Sequence, residues 1–161
     1  MPTMAKLSAA SVFALAAIGA TVPPQTATVT VQKGYDKGSG LGTGTAQVYH
    51  FAKLDACEGR KGIARFSWIT GAEKSKPLPS GMVIYLTAYT DRFTPGGASG
   101  LTGFKLNAAR CENRSSFTPQ AGETYIVLQK VEIGKACSMS VLAKSTNAAP
   151  PDLAELPQLQ C

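Results

Sequence analysis

This chain predicts an all-β fold, an antiparallel two-sheet sandwich of about seven strands, from three observations. Several short segments alternate apolar and polar residues with period two, Gly- and Pro-rich turns separate them, and no stretch carries the apolar period of an amphipathic helix. The four cysteines, Cys57, Cys111, Cys137 and Cys161, are an even number and predict a disulfide-stapled domain. A small β-barrel is the fallback, because the same strand pattern can close on itself.

Residues 1–20 read as a secretory signal peptide. Lys6 precedes an uncharged run of small and apolar residues from Leu7 to Ala20, too short to span a bilayer, and Ala20 offers a cleavage position before Thr21. The expected mature chain is periplasmic or secreted, with no transmembrane segment. Roughly 140 residues then remain, a comfortable size for one domain. The expected division is a β-sandwich over 21–144 and an extended C-terminal strap over 145–161, tied down by Cys161.

Thr26 to Val31 alternates threonine with Ala27, Val29 and Val31, a strand with one apolar face. The glycines between Lys33 and Thr45 make a flexible loop; their spacing fits no dinucleotide fingerprint and no GK[ST] ending follows, so no nucleotide cofactor is expected. Ala46 to Leu54 is a strand of unfixed register holding the one histidine, His50. Ile63 to Thr70 places Ala64, Phe66 and Trp68 on the core face, while Gly71 to Gly81 reads as a charged, Pro-rich connection. Met82 to Tyr89 is the most strand-like segment, with Met82, Ile84, Leu86 and Ala88 sharing a face.

Asp91 to Gly103 reads as a long glycine-rich loop displaying Arg92, Phe93 and Leu101, which makes these three the candidate partner contacts. After a strand from Phe104, the turn Phe117-Thr118-Pro119-Gln120-Ala121-Gly122 leads into a strand over Glu123 to Val131, and Cys137, Met139 and Val141 form the inward face of the next. Three disulfide pairings are formally possible. The strand assignment favours Cys111–Cys137, stapling this hairpin, with Cys57–Cys161 holding the tail. The cysteine spacing does not suit structural zinc, and no metal or other cofactor is expected.

The net charge of +6 is spread through the chain. Outside the cytoplasm a mild basic excess favours anionic lipid or acidic polysaccharide over nucleic acid. A hydrolase needs a nucleophile with a base, or paired carboxylates. Here the acids Asp36, Asp55, Glu58, Glu73, Asp91, Glu112, Glu123, Glu132, Asp152 and Glu155 are scattered, and His50 sits in no catalytic motif. The expectation is therefore a non-enzymatic binding or structural module of the cell envelope, contacting a protein or anionic polymer through loops. The alternative is an envelope hydrolase using loop carboxylates or His50. Asn113-Arg114-Ser115 matches a glycosylation acceptor, relevant only in a eukaryotic secretory route.

An apolar strand, Cys111, then Phe117-Thr118-Pro119-x-Ala121-Gly122-x-x-Tyr125-x-Val127 and Gly134-x-x-Cys137-x-Met139-x-Val141 form a pattern that resembles small exported bacterial proteins of unknown function. The resemblance covers the second half of the chain and implies an immunoglobulin-like or transthyretin-like sandwich. Many such proteins are lipoproteins, whereas no cysteine follows the apolar run here. Its motif is structural and implies no active residues.

Overall fold

The computed structural model describes residues 26–34, 44–67, 69–95, 106–131 and 136–159. Among them the chain forms nine strands: β1 (Thr26–Gln32), β2 (Gly44–Ala52), β3 (Lys61–Phe66), β4 (Glu73–Pro79), β5 (Ile84–Pro95), β6 (Leu106–Phe117), β7 (Thr124–Lys130), β8 (Ser138–Ala143) and β9 (Ala154–Leu156). They build a four-stranded sheet in the order β4-β1-β7-β8 and a five-stranded sheet in the order β3-β2-β5-β6-β9. The predicted two-sheet sandwich is what forms. All pairs are antiparallel except β1 with β7, which run parallel, Val29 beside Tyr125 and Val31 beside Val127.

Period-two alternation places one apolar row of each strand between the sheets. Ala27, Val29 and Val31 from β1, Leu78 from β4, and Tyr125, Val127 and Val141 from β7 and β8 meet Tyr49, Phe51, Phe66, Ile84, Leu86, Ala88 and Phe117 of the other sheet, all buried. Phe117 and Tyr125 pack across the interior with ring centroids 4.7 Å apart, and Tyr49 meets Phe66 edge to face.

Several strand assignments change. The stretch expected as a Pro-rich connection contains β4, whose Lys74, Lys76, Pro77 and Pro79 suit an edge strand because they discourage pairing with another chain. β5 continues past Tyr89 to Pro95, so Arg92 and Phe93 belong to a strand and not to a loop. β6 runs to Phe117, well beyond Cys111. The tail after Ala143, expected as an extended strap, adds a short strand, β9, to the edge of β6.

Cys111 and Cys137 are disulfide-bonded, their Cα atoms 6.1 Å apart. The pairing is the expected one, but its role is different. Cys111 lies on β6 of the five-stranded sheet and Cys137 leads into β8 of the other, so the bond clips sheet to sheet and does not staple a single hairpin. Cys57 is also disulfide-bonded; its expected partner, Cys161, lies outside the described residues, as do the signal segment, Trp68 and Leu101.

Next to that disulfide the interior turns polar. Gln47 on β2 and Gln129 on β7 have no exposed surface, and Thr90 has almost none. Gln47 Nε2 donates to the Gln129 carbonyl (2.9 Å) and to Thr90 Oγ1 (3.1 Å); Gln129 Nε2 donates to the Ala88 carbonyl (3.0 Å) and to Asn113 Oδ1 (2.9 Å). The Tyr49 hydroxyl accepts from Gln129 N (2.9 Å) and donates to the Gln32 carbonyl (2.8 Å). Burial pushes this phenol up to about 12, against the opposing pull of the Gln129 amide. Buried polar groups that all find partners fix one relative position of the two sheets, because any slip would orphan several at once.

Candidate functional site

The outward row of the five-stranded sheet carries the candidate site. On β2, Ala46, Val48 and His50 alternate with the buried Gln47, Tyr49 and Phe51, so they face away from the core. Register sets Val48 beside Tyr89 and Ala46 beside Asp91 on β5, and Asp91 beside Arg110 on β6. On the other side of β2, Arg65 of β3 lies next to Val48.

These neighbours form a row of flat side chains. The rings of His50 and Tyr89 stack with centroids 5.6 Å apart, and the Arg110 guanidinium lies 5.0 Å from the Tyr89 ring centroid. Arg110 also donates to both carboxylate oxygens of Asp91, Nε at 2.7 Å and an Nη at 3.2 Å. The Asp91 hydrogen bond and charge raise the Arg110 pKa further above its ordinary value. Around the row opens a shallow cleft of about 460 Å³, lined among others by His50, Gly62, Arg65, Lys74, Tyr89 and Asp91.

The electrostatics of the cleft are one-sided. Its carboxylate, Asp91, is already engaged by Arg110, whereas Arg65 and Lys74 are exposed and make no ion pair among the described residues. Burial, and then the positive charge of Arg60, lower the His50 pKa, so the imidazole is neutral near pH 7. Its Nδ1 is buried and has no hydrogen-bond partner among the described residues. A neutral imidazole, a phenol, an Asp–Arg pair and two unpaired cations can hold an anionic, hydroxyl-bearing ligand.

The same sheet face is closed at its other end. Arg114, buried on β6 beside Thr87, pairs with Asp55 and donates to the Pro157 carbonyl at 2.7 Å, so the 53–60 loop and the tail both lie over it. Gln158 donates to the Glu112 carbonyl at 3.2 Å and Asp152 accepts from Thr118 N at 2.8 Å, fastening the strap along β6.

Of the expected loop contacts, Arg92 is the one whose side chain is described. Arg92 shares the inward face of β5 with Ala88 and Thr90 and is half-buried, with its Nε unpartnered among the described residues. Phe93 follows it in the strand, and Leu101 lies outside the described residues. The candidate hydrolytic acids are dispersed: Asp55 is held by Arg114, Asp91 by Arg110 and Glu123 by Ser145, while Asp36 and Glu132 lie outside the described residues. Asn113, the possible glycosylation acceptor, points between the sheets, where it accepts from Gln129 and donates to the Cys137 carbonyl.

Of the cleft residues, His50, as a possible base, and Asp91, as one of the scattered acids, drew attention in the sequence. Arg65, Lys74, Tyr89 and Arg110 lie far apart along the chain, and only strand order makes them neighbours. Among the described residues no group of His, Cys, Asp and Glu gathers to hold a metal ion, and no helix is long and apolar enough to cross a membrane. Comparison with protein-family models, with curated proteins and with solved structures finds no match to this chain.

Proposed function

We propose that this chain is an exported, non-enzymatic binding module of the cell envelope, and that its partner contacts the outer face of the five-stranded sheet. Export rests on the signal-like residues 1–20, and the inter-sheet disulfide is consistent with an oxidising compartment. The observation that carries the reading is the charge imbalance in the cleft: Arg65 and Lys74 make no ion pair among the described residues and line the same cleft as the ring row, while its carboxylate, Asp91, is neutralised by Arg110. Such a surface attracts an anionic partner and orients it on approach. Binding is favoured over hydrolysis because Asp55, the carboxylate nearest His50 in sequence, is committed to Arg114, and His50 Nδ1 has no carboxylate to orient it among the described residues.

The test is retention on envelope fractions at low and high salt. A variant carrying Tyr89→Ser and Arg110→Ser is expected to lose most retention, whereas Arg92→Ser with Leu101→Ser keeps it. The reverse pattern would move the contact back to the strand ends. Turnover of an envelope polymer that depends on His50 would overturn the non-enzymatic reading.

A further inference from the structure

We infer that the cleft over β2, β3 and β5 receives an acidic polysaccharide, with its anionic groups at Arg65 and Lys74 and its hydroxyls at His50, Tyr89 and Asp91. The inference rests on the proposed binding role and names the class of partner. Charge complementarity supplies the first half. Arg65 on β3 and Lys74 on β4 project from different sheets into one cleft, and neither is paired among the described residues. A chain bearing repeated anions can engage both together.

The floor of the cleft supplies the second half. The cleft is also lined by Ala46, Val48, Gly62, Ile63 and Ala64, mostly small groups that leave a shallow bed. A protein partner would be expected to anchor on Trp, Tyr or Arg at the centre of the contact; Tyr89, the tyrosine lining this cleft, is already packed against His50 and Arg110. Among the described residues the exposed large apolar side chains, Leu54, Ile69, Met82 and Val83, do not line the cleft. What the bed offers instead are polar groups suited to hydroxyls. The Asp91–Arg110 pair presents acceptor and donor side by side, and Tyr89 adds a phenol. Sugar hydroxyls act as donor and acceptor at once, and satisfy both without adding charge.

Gly62 provides a way to test occupancy without touching a charge. A Cβ built there meets nothing nearer than His50 Cδ2 at 3.8 Å, so a side chain is tolerated by the fold and grows into the cleft. The experiment measures binding of the full chain to polygalacturonate, dextran sulfate, neutral dextran, poly-glutamate and inorganic polyphosphate. At least one acidic glycan is expected to bind at low salt and weaken as salt rises, with dextran, poly-glutamate and polyphosphate at least about tenfold weaker. Whichever acidic glycan binds distinguishes carboxylate from sulfate as the anion. Arg65→Ser with Lys74→Ser, and separately Gly62→Leu, should each cost about tenfold or more in affinity, the loss of one or two charge-assisted contacts, with the melting temperature retained. Equal binding of poly-glutamate or polyphosphate would overturn the saccharide assignment, and undiminished binding by Gly62→Leu would overturn the location. If no acidic glycan binds while the Tyr89→Ser/Arg110→Ser variant still loses envelope retention, the ligand class is wrong and the contact face stands.

Discussion

Gln47 and Gln129, carried on opposite sheets, meet inside the sandwich with Gln47 Nε2 2.9 Å from the Gln129 carbonyl and 3.3 Å from Gln129 Oε1. The contact joins β2, whose outward row builds the cleft, to β7 of the other sheet. Core polarity here therefore determines where the outer face sits.

Gln129→Leu keeps the volume and removes the amide. Asn113 Oδ1 and the Ala88 carbonyl then lose their donor, and Thr90 Oγ1 loses the acceptor it reaches at 2.8 Å. An orphaned buried polar group costs about 1–3 kcal/mol. Urea denaturation should accordingly show a loss of about 3 kcal/mol or more, given several orphans. A loss within the noise of the extrapolation would mean that the network does not hold the sheets in place.

Gly34 lies against this network, donating its N–H to Gln47 Oε1 at 2.9 Å. A Cβ there would overlap the Gln129 carbonyl, backbone that cannot easily move aside. Gly34→Ala should destabilise the domain by about 1–3 kcal/mol, the usual cost of overpacking. Thermal melting compared with Gly71→Ala, where a Cβ meets nothing, isolates the effect.

The Cys111–Cys137 bond closes a separation of 26 residues between the two sheets. Chain-entropy reasoning gives about 3.5 kcal/mol for a loop of that length. Cys111→Ser with Cys137→Ser should lower stability by about that amount while the far-ultraviolet spectrum stays that of a β protein.

His50 links stability and binding through pH. Its folded pKa lies below 6.5, because burial and then Arg60 disfavour the imidazolium. Above 6.5 folded and unfolded forms are both neutral and the term vanishes; as pH falls through 6.5 toward the folded pKa, the unfolded chain takes up the proton first and stability drops. The half-exposed site makes the drop small, and His50→Phe should remove it. Protonation of the folded protein also adds a cation beside Arg65, Lys74 and Arg110, so affinity for an anionic ligand should rise at lower pH, as the pH falls through the folded pKa, in the wild type and stay flat in His50→Phe.

The alternating strands were legible because each places one apolar row toward a core: Val29 and Val31, Phe66, Leu86, Val127 and Val141 are all buried as their spacing requires. β4 escaped because an edge strand is selected against pairing, and Lys and Pro there read as loop. The second half of β6 escaped because its inward residues, Asn113 and Ser115, are polar although buried or half-buried, and its outward Arg114 is buried against Asp55; neither leaves an apolar alternation. The cysteine pair was readable, but its joining of two sheets depends on strand order. The cleft depends on it entirely: Val48 beside Tyr89, and Asp91 beside Arg110, are facts of register that local sequence does not encode. The buried direction of Arg92 followed from the same unread extension of β5.

Amide chemical-shift mapping during titration with an acidic polysaccharide tests the account most directly. Perturbations are predicted to cluster at Ala46–His50, Gly62–Arg65, Lys74 and Tyr89–Asp91, and to disappear at high salt. Shifts confined to Arg92–Pro95 and the segments following it, with the outer face silent, would contradict the assignment of the contact to that face.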